Sequence, residues 1–388
     1  MIISYFPFLT ISLACLLNIF SYGYLPNFLF EGFVFVQSIF IFLLSFTTKL
    51  RYGLTNSINI FLFINLIFLL IASLAQLSIY PVSRFFGLLL GITSFYFLGN
   101  NISKKHFFLF IRFLSLCCYF GILISFLAGN FTIYQFTGFF ENANHFGRFF
   151  SYFFVIFSGF LFKYRREISQ SFSIQLYFLI AISFGLLTIS SARAAIGASL
   201  LPLAFYLLFA CFSRLKLFIQ KRKKSDLLNL VFIFFIIAIV VVIGIFYFQF
   251  VNTKSVYKVL QRGDYTGGRV IIWSLTLTQL SNWGVDLLKS KDNFLEFFGG
   301  DPHSTYLHFA LKNGIIPSIS YFLGLLLVIS RNTFLSLKNS ANNYLLVYFL
   351  SIQIFSYWVF ESANSILPFW LIFFFMAFER RENKKLLI

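Results

Sequence analysis

Residues 172–193 read FSIQLYFLIAISFGLLTISSAR and hold no charged side chain before Arg193. An α-helix needs about 20 apolar residues to cross the hydrocarbon core of a bilayer, and this stretch supplies them. Apolar residues resume directly after it, so hydropathy alone would allow one long helix here. A charge at the bilayer centre is costly, however. Ser190-Ser191-Ala192-Arg193 therefore predicts a tight turn at the membrane surface, between spans at 172–190 and 194–212.

The same composition extends over the whole chain. Hydrophobic residues make up 59% of its 388 residues and charged residues 11%, whereas about a quarter of a soluble domain is charged. The sequence therefore predicts an all-α polytopic membrane protein with one transmembrane domain over residues 1–388. About twelve runs are long enough to span, at residues 3–20, 32–47, 57–77, 83–99, 107–128, 146–162, 172–190, 194–212, 227–250, 304–329, 342–360 and 364–378.

Lysine and arginine are concentrated in alternate loops between these runs. The other loops contain few of these residues, and the short ones among them hold only Arg84, Arg148 and Arg193. Loops rich in Lys and Arg face the cytoplasm, so we expect both termini to be cytoplasmic. The first run lacks a basic leading segment and a cleavage site, so we expect a retained span rather than a signal peptide. The basic set consists of Lys49 and Arg51, Lys104 and Lys105, Lys163 to Arg166, Arg214 to Lys224, Arg331 and Lys338, and Arg380 to Lys385.

Several function classes are excluded by these patterns. The formal charge of +18 comes largely from the basic loops, so it predicts an orientation in the membrane and no nucleic-acid partner. The four cysteines lie inside apolar runs, in no disulfide or metal-ligand spacing. No Asp-x-Asp pair occurs in the chain. We therefore expect neither a metal nor another cofactor.

Residues 251–303 form one long polar loop on the predicted outer face. Loops of this length without obvious disorder usually have a function. After Gly267-Gly268-Arg269, the apolar residues from Val270 to Trp283 follow a spacing that predicts an amphipathic helix on the membrane surface. Asp264 or Thr266 is expected to cap the N-terminus of this helix.

Four polar clusters lie on the predicted outer face. The first runs from Glu141 to Arg148, before the sixth span, and includes Asn142, Asn144 and His145. Its side chains either satisfy the backbone of an interfacial loop or hold the hydroxyls of a sugar, with Arg148 near a phosphate.

The second and third clusters are single arginines. Arg193 lies in a turn on the face that carries few cations and is followed by Gly197. Arg269 lies in the long polar loop. Each is either a snorkelling or solvated surface charge or a guanidinium that binds phosphate oxygens bidentately.

The fourth cluster is His303-Ser304-Thr305-Tyr306-Leu307, at the start of the tenth span. Pro302 is a helix-start signal, and Gly314 permits a close helix approach. The positive end of the helix dipole favours a neutral imidazole, which can take a proton from an attacking hydroxyl. The alternative is a capping or solvent-facing histidine. Glu361 lies on the same face, before the last span.

The fourth and the second of these clusters resemble motifs of one family. His303-Ser304-x-x-Leu307, followed by Gly314, resembles the external histidine motif of O-antigen ligases. Arg193-x-x-x-Gly197 resembles the arginine motif in a short external loop of the same enzymes.

The other two clusters extend the resemblance to the superfamily that also contains Wzy-like polysaccharide polymerases. Gly268-Arg269 before an apolar helix, and the loop Asn142-x-Asn144-x-x-Gly147, are similar to motifs of that superfamily. Ala143 stands where many relatives have proline. The likeness covers residues 130–330 in motif order and predicted topology.

The resemblance implies a GT-C-like glycosyltransferase at the periplasmic face of a bacterial inner membrane. Its donor would be an undecaprenyl-diphosphate-linked oligosaccharide in the membrane lipid, its acceptor a glycan, and its partner a chain-length regulator. His303 would activate the acceptor hydroxyl for inverting attack, while Arg193 and Arg269 would hold the diphosphate. Sugar or phosphate contacts are expected from Asn142, Asn144, His145, Arg148, Tyr306 and Glu361.

Polymerase and ligase share this chemistry and differ in the acceptor, which is another lipid-linked repeat unit or the lipid A core. The Asn-x-Asn-x-x-Gly loop and the 62 phenylalanines favour a polymerase. A transporter or flippase of polysaccharide precursors is the alternative of another class, although transporters place ionisable residues near the midplane. A membrane acyltransferase would need an acyl-donor site, and the predicted cytoplasmic side has no histidine-centred motif beyond Lys104-Lys105-His106.

Overall fold

The computed structural model describes residues 39, 54–127, 137–138, 143–190, 192, 194–207, 269–284, 304–337, 344–360 and 367–385. The regular elements within these ranges are all α-helices. They are α1 (Asn56–Gln76), α2 (Tyr80–Asn101), α3 (Lys104–Leu127), α4 (Ala143–Tyr164), α5 (Gln170–Ser190), α6 (Ala194–Leu207), α7 (Arg269–Thr278), α8 (Thr305–Asn313), α9 (Ile315–Leu337), α10 (Leu345–Phe360) and α11 (Leu367–Lys385).

Helices α1, α3, α4 and α5 are each long and apolar enough to cross a membrane, and α6, α9 and α10 contain shorter apolar helices. The all-α prediction is therefore confirmed over the described ranges, and the apolar helices are those of a polytopic membrane protein. The break predicted between the spans on either side of Arg193 is also confirmed, because α5 ends at Ser190 and α6 begins at Ala194, while Arg193 itself lies outside the described residues. The predicted spans at 3–20 and 227–250, and that at 32–47 apart from residue 39, lie outside the described residues.

The predicted tenth span is wrong as a single helix. It is divided into α8 and α9 by Gly314, which has a φ of 99°. The N–H groups of Ile315 and Ile316, which open α9, donate to the carbonyls of Ser281 and Asn282 at 3.0 and 3.2 Å. The chain after α7 thus supplies acceptors that a continuous helix would not need. With nine residues, α8 is about 14 Å long, roughly half of the hydrocarbon core.

The amphipathic helix predicted in the long loop is shorter than expected. Helix α7 runs from Arg269 to Thr278, so Trp283 lies beyond it. The N-caps predicted at Asp264 or Thr266 lie outside the described residues. Its buried side comprises Ile272 and Thr276, while Leu277 is exposed. Helix α7 packs against α8, so one side of it faces the bundle. Its placement on the membrane surface stays a prediction.

One end of the bundle is held by charged side chains. Lys163, in the last turn of α4, donates to Glu379 of α11 at 2.8 Å, and the same carboxylate oxygen accepts from the N–H of Leu346 at the start of α10 at 3.4 Å. Arg381 of α11 donates to the carbonyl of Asn100 at the end of α2 at 3.0 Å. We call this the Glu379 end. Among the basic loops that the structure describes, those at Lys104, Lys163 and Arg381 therefore gather at one end of the bundle.

The opposite end is where α8 begins and α10 finishes, and we call it the Ser304 end after the residue that precedes α8. The last residues of α1 and α5 and the first residues of α4 and α6 also lie there. The predicted outer-face clusters that the structure describes are all at this end. Which of the two ends faces the cytoplasm stays a prediction.

Phenylalanine fills much of the core between these two ends. Phe107 of α3 stacks on Phe378 of α11 with 3.9 Å between ring centroids, and its ring also contacts Phe160 of α4. Helix α2 comes very close to α11, because Gly99 leaves room for the backbone of Phe374. Close backbone approach through small residues is the usual way in which membrane helices pack. These contacts pack α2, α3, α4 and α11 tightly toward the Glu379 end.

Candidate functional site

The first predicted cluster lies in the opening turns of α4. Asn144 and His145 are half-buried there, whereas Arg148 is only 2% exposed. The guanidinium carbon of Arg148 lies 5.9 Å from the centre of the Tyr357 ring on α10. Aromatic faces attract cations at this distance, and arginines in membrane helices face the interior of the bundle. Arg148 therefore points into the junction between α4 and α10.

Gly147 places the Arg193 turn beside this cluster. A Cβ atom on Gly147 would overlap the Cβ of Ala192 and would lie 3.2 Å from Ser190 Oγ and 3.3 Å from the Cβ of Ala195. These three neighbours belong to the end of α5, to the turn and to the start of α6. The residues before and after Arg193 in the chain thus pack directly on α4. From the sequence, Gly147 belongs to the loop that is expected to hold sugar hydroxyls. In the structure, its role is to permit this close approach.

We expect Gly147→Ala to separate α4 from the Arg193 turn, because the new methyl group has no free space. Overpacking of this kind typically lowers the free energy of unfolding by about 1–3 kcal/mol. The measurement is the midpoint of thermal unfolding in detergent. Gly185→Ala is the matched control, since nothing lies within 4 Å of a Cβ at Gly185 on α5. Equal midpoints for the two variants would contradict the packing role of Gly147.

The segment that follows His303 is fixed to the end of α10. Ser304 is buried, and its hydroxyl donates to the carbonyl of Trp358 at 3.4 Å. The hydroxyl of Tyr306 donates to the carbonyl of Phe355 at 3.2 Å. The Trp358 carbonyl lies in the last turn of α10, where a helix has carbonyls without intrahelical partners, and the Phe355 carbonyl lies one turn earlier. The first turn of α8 is thus held by hydrogen bonds to a neighbouring helix.

Tyr306 contributes to this packing through its ring as well as its hydroxyl. The ring lies against Phe322 of α9, with 4.4 Å between the centroids, and against Trp358 at 6.2 Å. The sequence predicts Tyr306 as a contact to sugar or phosphate. In the structure its hydroxyl is directed at the backbone of α10, so its visible role is to fix the start of α8.

The last turn of α10 connects the two clusters. Tyr357 faces Arg148 on α4, while its neighbour Trp358 accepts the hydrogen bond from Ser304. A single helical turn therefore has the first cluster on one side and the start of α8 on another. This arrangement brings together parts of the chain that are far apart in sequence.

The Arg269 helix joins the same assembly through α8. Helix α7 packs on α8, and the chain after α7 caps α9. Gln76 at the end of α1 reinforces the junction, because its side-chain amide donates to the carbonyls of Trp283 at 2.6 Å and Lys312 at 2.9 Å. The short helix that follows His303 is thus fixed at both of its ends.

The four predicted clusters are described to different extents. Asn144, His145, Arg148 and Tyr306 are described with their side chains, and Arg269 as the first residue of α7 only. The structure brings the immediate neighbours of the clusters together at the Ser304 end. The predicted residues outside the described parts of the chain are Asn142, Arg193, His303 and Glu361.

Several polar residues that the sequence reading did not single out support this region. Gln76 fixes the end of α8, and Gln353 of α10 forms a buried hydrogen bond to Ser151 of α4 at 2.8 Å. The signal in the sequence was a lone glutamine inside or at the end of an apolar run. Such residues are rare in membrane spans and face other helices.

Among the residues that the structure describes, no group of three or more His, Cys, Asp or Glu side chains is arranged to hold a metal ion. The chemistry available at the Ser304 end is that of a buried guanidinium, amide and imidazole groups at the start of α4, and hydroxyls at the start of α8. Such groups suit a ligand with hydroxyls and negative charge.

Comparison with known proteins does not assign the chain to a family. No family model matches it, and no curated protein matches it either.

Proposed function

We propose that the protein is a polysaccharide polymerase that joins undecaprenyl-diphosphate-linked repeat units at the periplasmic face of a bacterial inner membrane. It would act as a metal-independent, inverting glycosyltransferase. The proposal includes about twelve spans, a GT-C-like arrangement and cytoplasmic termini. It is supported by the four motifs in order along the chain, and by one structural observation on the elements that carry them.

That observation is the packing of these elements on one another at the Ser304 end. Gly147 of α4 contacts Ala192 and Ala195 on both sides of Arg193 in the chain. Tyr357 and Trp358 then connect α4 to the start of α8, and α7 packs on α8. A polymerase site needs its base and its cations around one substrate. The contacts favour such a shared site over four separate surface features.

In the proposed reaction, His303 removes the proton from an acceptor hydroxyl as its oxygen attacks the anomeric carbon of the donor. The bond between that carbon and the diphosphate oxygen breaks, and the configuration inverts. The electron pair leaves with undecaprenyl diphosphate, whose charge Arg193 and Arg269 stabilise. Fixed cations aimed at a developing charge are among the strongest contributions to catalysis.

Arg148 extends this arrangement into the bundle. Its burial against Tyr357 places a fixed positive charge at the floor of the junction between α4 and α10. We propose that this charge attracts the diphosphate, while Asn144 and His145 in the preceding turn contact the sugar. An arginine that is buried before the substrate arrives needs no reorganisation to bind it.

Lysine substitutions test the two external arginines. We expect Arg193→Lys and Arg269→Lys each to lower the rate of polymer formation by about 10²-fold, since losing one stabilising donor typically costs 10²–10³-fold and an ammonium cannot replace a bidentate guanidinium. The rate is measured with purified protein in proteoliposomes. Arg165→Lys at the Glu379 end is the control and should retain the wild-type rate. Full activity of both lysine variants would contradict the assignment.

The proposed function itself is tested with a purified lipid-linked repeat unit, with and without a chelator. A polymerase forms longer glycans and releases undecaprenyl diphosphate in both conditions. Transfer only after lipid A core is added would instead identify a ligase. Movement of the intact donor across the membrane, with no new glycosidic bond, would identify a flippase.

The described charges favour the enzyme over the transporter. Arg148 lies near the Ser304 end, and the Lys163–Glu379 pair lies at the other end. Transporters bind their substrate near the bilayer midplane, at ionisable or helix-breaking residues. In the described helices, Arg148 and the Lys163–Glu379 pair thus lie toward opposite ends of the bundle, which suits chemistry at one membrane surface.

A further inference from the structure

Three buried polar side chains from three helices meet directly below the candidate site. Gln353 of α10 donates from its side-chain amide to Ser151 Oγ of α4 at 2.8 Å. Ser199 Oγ on α6 lies 2.7 Å from the same oxygen, and its hydroxyl also donates to the Ala195 carbonyl of its own helix at 2.7 Å. All three residues are fully buried. We call this group the polar clamp.

Each member of the polar clamp lies near a feature of the site on its own helix. Ser151 is one turn along α4 from Arg148, and Gln353 is one turn along α10 from Tyr357. Ser199 belongs to the helix that starts directly after Arg193. The clamp therefore joins the three helices whose ends form the proposed diphosphate site.

Stability alone does not account for this group. The Gln353 carboxamide oxygen has no hydrogen-bond partner among the described residues, and a polar network that is only partly satisfied is less favourable than a well-packed apolar core. Hydrogen bonds between membrane helices also contribute only modestly to stability. What directional bonds do supply is a single relative position of the helices, a role attested for some buried polar residues.

We propose that the polar clamp fixes the positions of α4, α6 and α10 relative to one another, and thereby positions Arg148 beside the Arg193 turn. Its members are positioning residues and contact no substrate. The inference rests on the proposed function only where it says that the positioned groups bind a diphosphate. The fixed arrangement of the three helices does not depend on that function.

Two substitutions remove the clamp while keeping the helices apolar. Gln353→Met retains most of the side-chain length without the amide, and Ser151→Ala removes the shared hydroxyl. Ser351→Ala is the matched control, because Ser351 is also buried on α10 but its hydroxyl has no hydrogen-bond partner among the described residues.

The helix arrangement is measured by electron paramagnetic resonance of the full-length protein in lipid nanodiscs. Nitroxides are attached at the exposed positions Leu201 on α6 and Val359 on α10, as Leu201→Cys and Val359→Cys in a background whose four native cysteines are alanine. We expect one narrow distance distribution for this parent and for Ser351→Ala. Gln353→Met and Ser151→Ala should broaden it or shift it by at least 1 Å, about the misplacement that matters for catalysis.

Polymer formation by the unlabelled variants is the second readout. A misplacement of about 1 Å can cost 10²-fold in rate, so we expect Gln353→Met to lower the turnover rate at least tenfold, while its midpoint of thermal unfolding changes little. A purely structural role would lower the midpoint and leave the folded fraction fully active.

The outcomes separate the two proposals. Identical distance distributions for Gln353→Met and Ser351→Ala would overturn the clamp, and if Gln353→Met fails to insert, Ser151→Ala decides the same question. A changed distribution in a protein whose wild type makes no polymer would support the clamp and reject the proposed function. Polymer from the wild type, with unchanged distances in both clamp variants, would support the proposed function and reject the clamp.

Discussion

The His303→Ala protein is expected to insert and fold normally and to make no detectable polymer. A general base contributes about 10²–10⁴-fold to the rate of such reactions. The described contacts that hold this part of the chain come from Ser304 and Tyr306, which bond to α10. Removal of the imidazole leaves those bonds intact, so the loss should appear in the rate and not in the stability.

The measurement compares glycan length and unfolding midpoint for purified wild type and variant in the same lipid. His106→Ala is the control, because His106 lies at the start of α3 at the Glu379 end, where its Nδ1 is 2.7 Å from Ser103 Oγ. This control should retain wild-type activity. Polymer of normal length from His303→Ala would overturn the assignment of the base.

Gly314→Ala is expected to damage both the fold of this region and its activity. The glycine has a φ of 99°, and an added Cβ would lie 2.5 Å from Trp283 Cα and 2.6 Å from the amide nitrogen of Gly284. These neighbours are backbone atoms and cannot rotate away. The strained backbone and the overlap together should cost roughly 2–5 kcal/mol of unfolding free energy. Displacement of the chain after α7 would also uncap α9.

Thermal unfolding in detergent tests this prediction, with Gly87→Ala on α2 as the control, because a Cβ there meets nothing within 4 Å. We expect a clearly lower midpoint for Gly314→Ala and little change for the control. Polymer formation should fall with the fraction of folded protein. A Gly314→Ala protein as stable as the control would contradict the tight junction between α8, α9 and the chain after α7.

The membrane helices could largely be predicted from the sequence, because hydropathy and loop charge are local properties. The predicted runs at 57–77 and 107–128 differ by at most a few residues from α1 and α3. The break at Arg193 was predictable for the same reason, since one charge in an apolar stretch is visible without any knowledge of the fold. The last helix extends beyond its predicted apolar run of 364–378 to Lys385, and Glu379 in this extension pairs with Lys163.

The break at Gly314 could not be predicted in this way. Glycine is common inside membrane helices, and the residues on both sides of it are apolar, so hydropathy indicates one continuous span. The carbonyls that accept hydrogen bonds from the start of α9, and so permit the break, belong to Ser281 and Asn282 in another part of the chain. Only the folded arrangement brings them to the start of α9.

The candidate site could likewise be predicted only in part. Its residue types could be selected from the sequence because histidine and external arginine are rare in this chain. The residues that hold the site in place could not be selected in this way, since Ser151 and Gln353 are 202 residues apart and neither belongs to a motif. The tight contact at Gly147 likewise depends on the turn between two other helices.

The pairing of Lys163 with Glu379 has a consequence for biogenesis. The two residues are 216 positions apart, and ribosomes add about 5–20 residues per second, so the lysine is synthesised roughly 10–40 s before its carboxylate exists. Residues 372–378 of α11 are fully buried against earlier helices. The bundle can therefore close only after its last described helix has been synthesised, and until then the core that this helix fills is incomplete.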